Sequence, residues 1–498
     1  MIQELLESLT VNAKRNAFCI DDKYYSYEEL RDLVSGIKAQ IESVMGKGDS
    51  RNIAIVCTND IRTYASLLAI WLSGCAYVPL GLHNPVDRNL AILASASAGI
   101  IISGVALDDA GYAPYKVIRP VQEIGGGAAL ISPARVEASD LAYILFTSGS
   151  TGAPKGVPIS HGNISAFIEA FSSSPFKITR EDRCLQMFEL TFDVSISSYL
   201  PALLSGACVY TVPNDGIKYM HVLRILNQYA LTSIQIVPSI IKLAKPLLKR
   251  LNFDTVRNCI LTGEATSIDL VGLWMPCVPH AVIYNYYGPT ESTIYCSFLQ
   301  YRPESAKTYN GMLAIGKAFD GMELLIVKED GGRAGLLEKG ELWIGGPQVT
   351  EGYINNEQKN KDSFIVIREG DMTKRFYRSG DMCYSDEQGD IYYCGRYDNQ
   401  VKIQGFRVEL SEIEFLVRDK FGVNNVVVVE QNAQGATRLI LVMENVKAAD
   451  VQPVLDYLKR KLPEYMIPSD SRIVNEFPLN SSGKTDRKKI RELLYESV

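Results

Sequence analysis

Short, continuously apolar runs alternate with stretches of helical periodicity along much of the chain. Ile53-Ala-Ile-Val-Cys57 reads as a buried strand, and Ile61 to Leu72 carries the 3.6-residue spacing of a helix packed behind it. The alternation continues through strands at Ala76 to Leu80, Gly99 to Ile102 and Leu141 to Phe146. Further strands are predicted at Ala207 to Val212, Ser233 to Val237, Asn258 to Thr262 and Ala281 to Asn285, with a helix over Ile196 to Leu204. Strands that alternate with helices build a parallel sheet covered on both faces, so this region is predicted as α/β. Near the N-terminus, Tyr24-Tyr-Ser-Tyr-Glu-Glu-Leu30 reads as a strand ending at Ser26, which is placed to cap the next helix.

The pattern changes at Gly316. Short strands separated by glycine turns follow at Glu323 to Val327, Gly340 to Ile344, Phe376 to Arg378 and Asp390 to Tyr393, which predicts a small antiparallel sheet or barrel. Gly395 to Gln400 reads as a linker. Beyond it, Val401 to Val408, a helix from Ser411, strands at Asn425 to Val429 and Arg438 to Val442, and a helix over Ala448 to Leu462 are enough for a separate α+β domain. No tandem repeat or low-complexity segment interrupts this order.

Composition narrows the class. The 498 residues exceed one ordinary core, and 47% hydrophobic with 22% charged residues describes a folded chain without disordered bias. A net charge of −6 argues against a dedicated nucleic-acid surface. The ten cysteines form no C-x-x-C pair and histidines number only four, so a zinc site is not expected. Most cysteines lie in apolar strings and read as small buried hydrophobes. Neither a signal peptide nor a membrane span is evident, and a reduced, cytoplasmic enzyme is expected.

Four strings carry candidate chemistry. Leu145-Phe-Thr-Ser-Gly-Ser-Thr-Gly-Ala-Pro-Lys-Gly-Val157 places a hydroxyl- and glycine-rich loop after a strand. Its free N–H groups and hydroxyls suit phosphate oxygens, with Lys155 as a mobile cation; a plain Ser/Gly connection is the bland alternative. It is a near miss to a P-loop, since Pro154 and Gly156 occupy the positions of the second glycine and the magnesium-binding hydroxyl. Phe192-Asp193-Val-Ser195 puts an acid beside an aromatic, which is either a helix N-cap or a buried charge awaiting a cation. Tyr286-Tyr-Gly-Pro-Thr-Glu291 gathers a ring for stacking, a hydroxyl for phosphate and a carboxylate for a hard cation, or else is a Gly-Pro turn with incidental polar residues. Ser379-Gly380-Asp381 offers a carboxylate to two ribose hydroxyls, or an ordinary turn aspartate.

Taken in order, from Ser73-Gly-Cys-Ala-Tyr-Val-Pro79 to Gly483-Lys484, these strings resemble the adenylate-forming superfamily. The resemblance is to its amino-acid adenylation enzymes: the adenylation domains of nonribosomal peptide synthetases and the stand-alone D-alanine–carrier-protein ligases. It implies a large N-terminal part (1–397) of two stacked αβ subdomains plus a small β-barrel, hinged near Asp398 to a small, mobile α+β domain (398–498). It implies ATP and Mg²⁺, formation of an aminoacyl-adenylate, and transfer to the phosphopantetheine thiol of a carrier protein. The length suits a free-standing enzyme, and family members are often monomeric.

Carried over by resemblance, Thr147, Ser148, Gly149, Ser150, Thr151, Gly152 and Lys155 would grip phosphates. Gly263, Glu264, Ala265 and Tyr287 would sandwich the adenine, with Asn285 at its edge, and Tyr286 and Gly288 would also contribute to ATP binding. Thr290 would touch the α-phosphate, Glu291 the magnesium, and Asp381 with Arg396 the ribose. Lys484 would bridge the substrate carboxylate and the α-phosphate. Asp193 would pair with the substrate ammonium, and Val194, Ser197, Ile240, Ile260, Thr262, Tyr286, Ile294 and Tyr295 would line its side-chain pocket, a small to medium, largely apolar space. The D-alanine ligases usually have a cysteine at Thr262 and a smaller residue at Tyr286, and this sequence departs from both. A CoA-thioester-forming acyl or aryl ligase, which generally lacks the acid at Asp193, and a non-catalytic homologue, which commonly loses Glu291 or Lys484, are the rival classes. Lys459-Arg-Lys461 is either a contact for an acidic carrier protein or a solvated helix end.

Overall fold

The computed structural model describes residues 1–107, 109–121, 132–149, 154–213, 216–369, 372–398, 400–431, 437–478 and 485–496. The chain forms two compact units. The larger comprises Met1–Leu82, Ile92–Phe146 and Gly156–Tyr397; the smaller comprises Asp398–Val498 together with His83–Ala91 and Thr147–Lys155.

In the larger unit the alternating pattern produces two predominantly parallel sheets. One has nine strands, in the order Lys317–Ala318, Ser297–Gln300, Val282–Tyr287, Asn258–Leu261, Ser233–Ile236, Arg183–Gln186, Cys208–Thr211, Asn16–Ile20 and Lys23–Ser26. The other has six, with Asn52–Cys57 between Ile100–Ile102 and Ala76–Gly81, and Leu141–Thr147 beyond them. The helices Tyr27–Val44, Ile61–Leu72, His161–Ser173 and Val194–Leu204 contribute to one continuous core with residues of both sheets, including Phe18, Val209, Ile55 and Leu145. Burial of this surface is the dominant stabilising term. Ser26 caps the first of these helices: its hydroxyl accepts from the Glu29 N–H while the Glu29 carboxylate takes the Ser26 N–H, a reciprocal capping box.

After Gly316 the same unit adds an antiparallel sheet of Glu323–Val327, Gly340–Gly345, Met372–Ser385, Phe364–Glu369 and Ile391–Arg396. The predicted glycine-punctuated strands are all present. Strands at Lys155–Ser160 and Arg183–Gln186 were not predicted, because neither has enough apolar residues to stand out from its flanks.

The smaller unit has its own core of Val408, Ile413, Val427, Leu441, Leu458 and Met466. The sheet Asn425–Gln431, Thr437–Glu444, Asp470–Val474 carries the helices Leu410–Phe421 and Val451–Lys461. Inside this unit Arg88 and Glu412 form an ion pair at 2.9 Å with both side chains almost wholly buried. Among the described residues no helix is long and apolar enough to cross a membrane.

Candidate active site

Strand Val282–Tyr287 ends in the tight connection that leads back into Ser297–Gln300, its antiparallel partner. In a parallel sheet such connections at the carboxyl ends of strands are where ligands bind. Gly288 is required here by close approach: a Cβ at this position would lie 2.4 Å from the Ile294 carbonyl oxygen. Thr290–Ser292 make one 3₁₀ turn, after which Thr293 and Ile294 have φ of 55° and 75°. Two successive β-branched residues in the left-handed region are strained, and such strain persists only where surroundings over-determine it.

Those surroundings come from Gln348, wholly buried, whose amide nitrogen donates to the carbonyls of Ser292 at 3.2 Å, Thr293 at 3.3 Å and Tyr295 at 2.7 Å. Its backbone carbonyl accepts the Thr293 hydroxyl at 2.6 Å. The turn therefore presents Glu291 in a fixed position, fully buried, its Oε1 accepting from the Tyr353 hydroxyl at 2.7 Å.

Asp193 stands at the N-cap position of Val194–Leu204, yet its side chain makes no capping hydrogen bond. It faces the Thr290 turn instead. Burial raises its pKa, the Glu291 carboxylate adds to the rise, and the Thr290 hydroxyl with the Ile294 and Val194 N–H groups pulls it down; it settles at about 6. Its Oδ2 is buried with no hydrogen-bond partner. A carboxylate in that state is costly unless a ligand supplies the missing positive charge.

Asp381 is the opposite case. It lies in the long strand Met372–Ser385, buried, opposite Arg396 in the register. Arg396 Nη1 donates to Oδ1 at 2.7 Å and the Tyr287 hydroxyl donates to Oδ2. Burial and this carboxylate push the Tyr287 phenol far above its ordinary pKa, so it remains a donor. Tyr287 thus links the end of the central strand to Asp381.

Asn285 is buried and its carboxamide is committed, accepting from Thr266 at 2.9 Å and donating to the Ala314 carbonyl at 2.9 Å. Gly263, with φ of 82°, turns the chain after Asn258–Leu261, Glu264 accepts the Ser239 N–H at 3.0 Å, and Ala265 is exposed.

The pocket residues divide. Ile260, Tyr286, Ile294 and Tyr295 share one core cluster with Val194 packed against it, whereas Ile240 packs in a separate cluster with Met187 and Val212. Ser197 and Thr262 are buried. Tyr286 is an aromatic hub between Phe171, Tyr295 and Phe319, its hydroxyl 3.0 Å from that of Ser174. Sequence reasoning missed Gln235, which the structure inserts between Ser197 and Tyr295. A polar residue inside the apolar string Ser233-Ile-Gln-Ile-Val237 was the available signal. Tyr353 and Gln348 were missed too, with no comparable signal.

In the smaller unit the loop after Leu141–Thr147 differs from expectation. Lys155 is not a mobile cation: it is buried and lies 3.6 Å from Glu409. The Gly149 N–H donates to Glu412 at 3.0 Å, Ser148 bonds the backbone at Arg407 and Glu409, and the Thr147 hydroxyl is buried without a partner. Ser150, Thr151, Gly152 and Lys484 lie outside the described residues.

The family model of the AMP-binding enzymes matches residues 6–354. Delta-poly-L-ornithine synthetase of Acinetobacter baumannii is 31% identical over 96% of the chain, which spans 35% of that relative's length. Gramicidin S synthase 1 of Brevibacillus brevis is 29% identical over 99% of the chain and 44% of its own length. The chain thus spans less than half the length of these curated relatives. Among solved structures, the Vibrio cholerae adenylation domain AlmE in complex with glycyl-adenosine-5'-phosphate superposes with a TM-score of 0.86, at 25% identity, over 99% of this chain and 97% of that one. The artificially fused adenylation–PCP di-domain NpsA-ThdA of Klebsiella oxytoca gives 0.78 at 25% identity, over 94% and 93%. The chain belongs to the AMP-binding enzymes, and it is similar to adenylation domains of the nonribosomal peptide synthetase type.

Proposed function

We propose that this enzyme activates a small to medium, uncharged amino acid as its aminoacyl-adenylate and passes the acyl group to the phosphopantetheine thiol of a carrier protein. The observation that carries the amino-acid reading is Asp193, a half-buried residue whose carboxylate keeps one buried, unpartnered oxygen beside Thr290 and Glu291. A substrate α-ammonium would complete it, and a fatty or aryl acid would not.

In the first step a carboxylate oxygen of the substrate attacks the α-phosphorus of ATP, and the bond to the β-phosphate oxygen breaks to release pyrophosphate. Thr290 would hold an α-phosphate oxygen, and Asp381 with Arg396 the ribose hydroxyls. Tyr287 and Gly263-Glu264-Ala265 would flank the adenine. Glu291 suits Mg²⁺, because it is a buried carboxylate oriented by Tyr353, and the ion would neutralise phosphate charge there. Lys484 is the proposed cation for the charge that builds on the pentacoordinate phosphorus, and residues 398–498 the domain that would deliver it. In the second step the thiol sulfur attacks the adenylate carbonyl, AMP leaves, and the thiol proton is released.

ATP–pyrophosphate exchange across a panel of D- and L-amino acids tests the first step. Exchange dependent on an amino acid is expected. Silence with every amino acid but activity with a simple carboxylic acid overturns the reading. Acylation of a holo-carrier protein in preference to free CoA tests the second.

A further inference from the structure

Gly156 stands where a P-loop would carry its magnesium-binding hydroxyl, and the fold supplies the reason. A Cβ at this position would lie 2.6 Å from Ile354 Cδ1 and 2.7 Å from its Cγ1. The strand Lys155–Ser160 ends the order of the six-stranded sheet, so the backbone groups on its outer edge need partners from outside that sheet. The Gly156 carbonyl accepts the Ile354 N–H at 3.0 Å. Two residues on, the Pro158 carbonyl of the same strand accepts the Thr350 hydroxyl.

The segment that makes these two contacts also holds the Glu291 turn. Gln348 takes three of the carbonyls around that turn, and Tyr353 reaches the Glu291 carboxylate. Tyr353 is itself fixed by Asn360, whose Oδ1 accepts the Tyr353 N–H at 2.7 Å and whose Nδ2 donates to the Tyr353 carbonyl at 2.9 Å. Between them, the Thr350 N–H donates to the Glu291 carbonyl at 2.9 Å.

Thr350 is therefore common to both sides. It is wholly buried, and its N–H is committed to Glu291, so only a side-chain donor is left for Pro158. A hydroxyl on a short stem meets both demands, whereas alanine or valine would leave the Pro158 carbonyl without that donor. The link matters because Thr293 and Ile294 follow Glu291 in the left-handed region. A strained turn keeps its shape only while its surroundings over-determine it, and each lost tether lets it relax.

We propose that Thr350 is a positioning residue for the metal site: by joining the Glu291 backbone to the strand Lys155–Ser160, it fixes where the Glu291 carboxylate stands for Mg²⁺. This inference rests on the reading of Glu291 as the magnesium acid. Thr350 touches neither metal nor nucleotide in this role and acts through the Glu291 turn.

Calorimetric titration of the full chain with a non-hydrolysable ATP analogue, once with Mg²⁺ and once with a chelator, tests it without turnover. The ratio of the two affinities reads what the metal contributes. Thr350→Val keeps the N–H and the volume but removes the hydroxyl, and should cut that ratio about tenfold. Thr350→Ser retains the hydroxyl and should stay within about threefold of the wild type. Thr350→Ala reads the same loss should Thr350→Val fail to fold. In pyrophosphate exchange, the Mg²⁺ concentration giving half-maximal rate should rise in the same order. A purely structural Thr350 would lower the unfolding temperature of Thr350→Val and leave the affinity ratio unchanged, which overturns the proposal. Glu291→Gln separates the two levels of the argument. If it cuts the ratio while Thr350→Val does not, the positioning role alone falls; if it leaves the ratio unchanged, the magnesium reading of Glu291 falls and the positioning role with it.

Discussion

Asp193, half-buried with one carboxylate oxygen out of solvent, and the buried Asp381 both belong to the larger unit and lie at the candidate active site, but their surroundings differ in kind. Asp381 is met from two sides by an arginine and a tyrosine hydroxyl, so the fold itself balances its charge. Asp193 has the Thr290 hydroxyl and two backbone N–H groups to moderate it, while one oxygen remains unpartnered and Glu291 repels it. The first arrangement is pre-organised at the protein's own expense. The second is left incomplete, and a ligand cation is what would complete it. The same residue type thus serves two ends, and removing the charge should have opposite effects on stability.

The largest effect is expected for Asp381→Asn. It leaves Arg396 facing a neutral amide, and breaking a buried pair from one side costs about 3 kcal/mol or more. Urea unfolding should show the loss, and nucleotide affinity should fall with it. Unchanged stability would mean that the Arg396 pair contributes little.

Asp193→Asn should act in the other direction on the free protein. A pKa raised from 3.8 to about 6 corresponds to at most about 3 kcal/mol against the ionised form, which the amide avoids. The variant should unfold at a higher temperature than the wild type at pH 8, while amino-acid-dependent exchange falls by about two orders of magnitude or more. A variant less stable than the wild type would show that Asp193 is already compensated.

The pH dependence sharpens the contrast. The folded pKa of Asp193 lies above its unfolded value, so the stabilisation is fully present below about pH 3.8 and is lost as pH rises through about 6. The advantage of Asp193→Asn over the wild type should therefore be complete above pH 7 and vanish toward pH 4. Calorimetric scans of the two proteins across that interval measure it. A constant gap would refute the assignment.

The smallest effect concerns the acid that repels Asp193. Tyr353→Phe removes the hydroxyl that Glu291 accepts, worth about 1.5–3 kcal/mol for a hydrogen bond to a charged group. Stability should fall by that amount, and the Mg²⁺ concentration giving half-maximal exchange should rise.

Much of the architecture was legible. The helix Ile61–Leu72 begins and ends where its periodicity predicts, Ser26 caps the helix it was assigned to, and most predicted strands agree within one or two residues. Apolar spacing is a local signal, and it survives whatever packs around it. The site was legible only as a set of residue types. The N-cap alternative for Asp193 was right about its position, but its side chain makes no capping hydrogen bond and meets the Thr290 hydroxyl instead. Lys155 looked like a free cation because the sequence shows a lysine beside glycines; burial and Glu409 are tertiary facts.

Thr350 shows the boundary between the two kinds of information. By itself the sequence determined an α/β chain with a glycine-turned sheet and a small α+β region, and it put the phosphate-type loop, Asp193, the Tyr287–Glu291 turn and Asp381 in order, since periodicity, turn chemistry and motif spacing are written along the chain. Only the tertiary structure decided which acid is paired and which is left open, and that one buried threonine ties the Glu291 turn to the strand Lys155–Ser160. Charge balance and hydrogen-bond satisfaction depend on neighbours distant in sequence, and those exist only once the chain has folded.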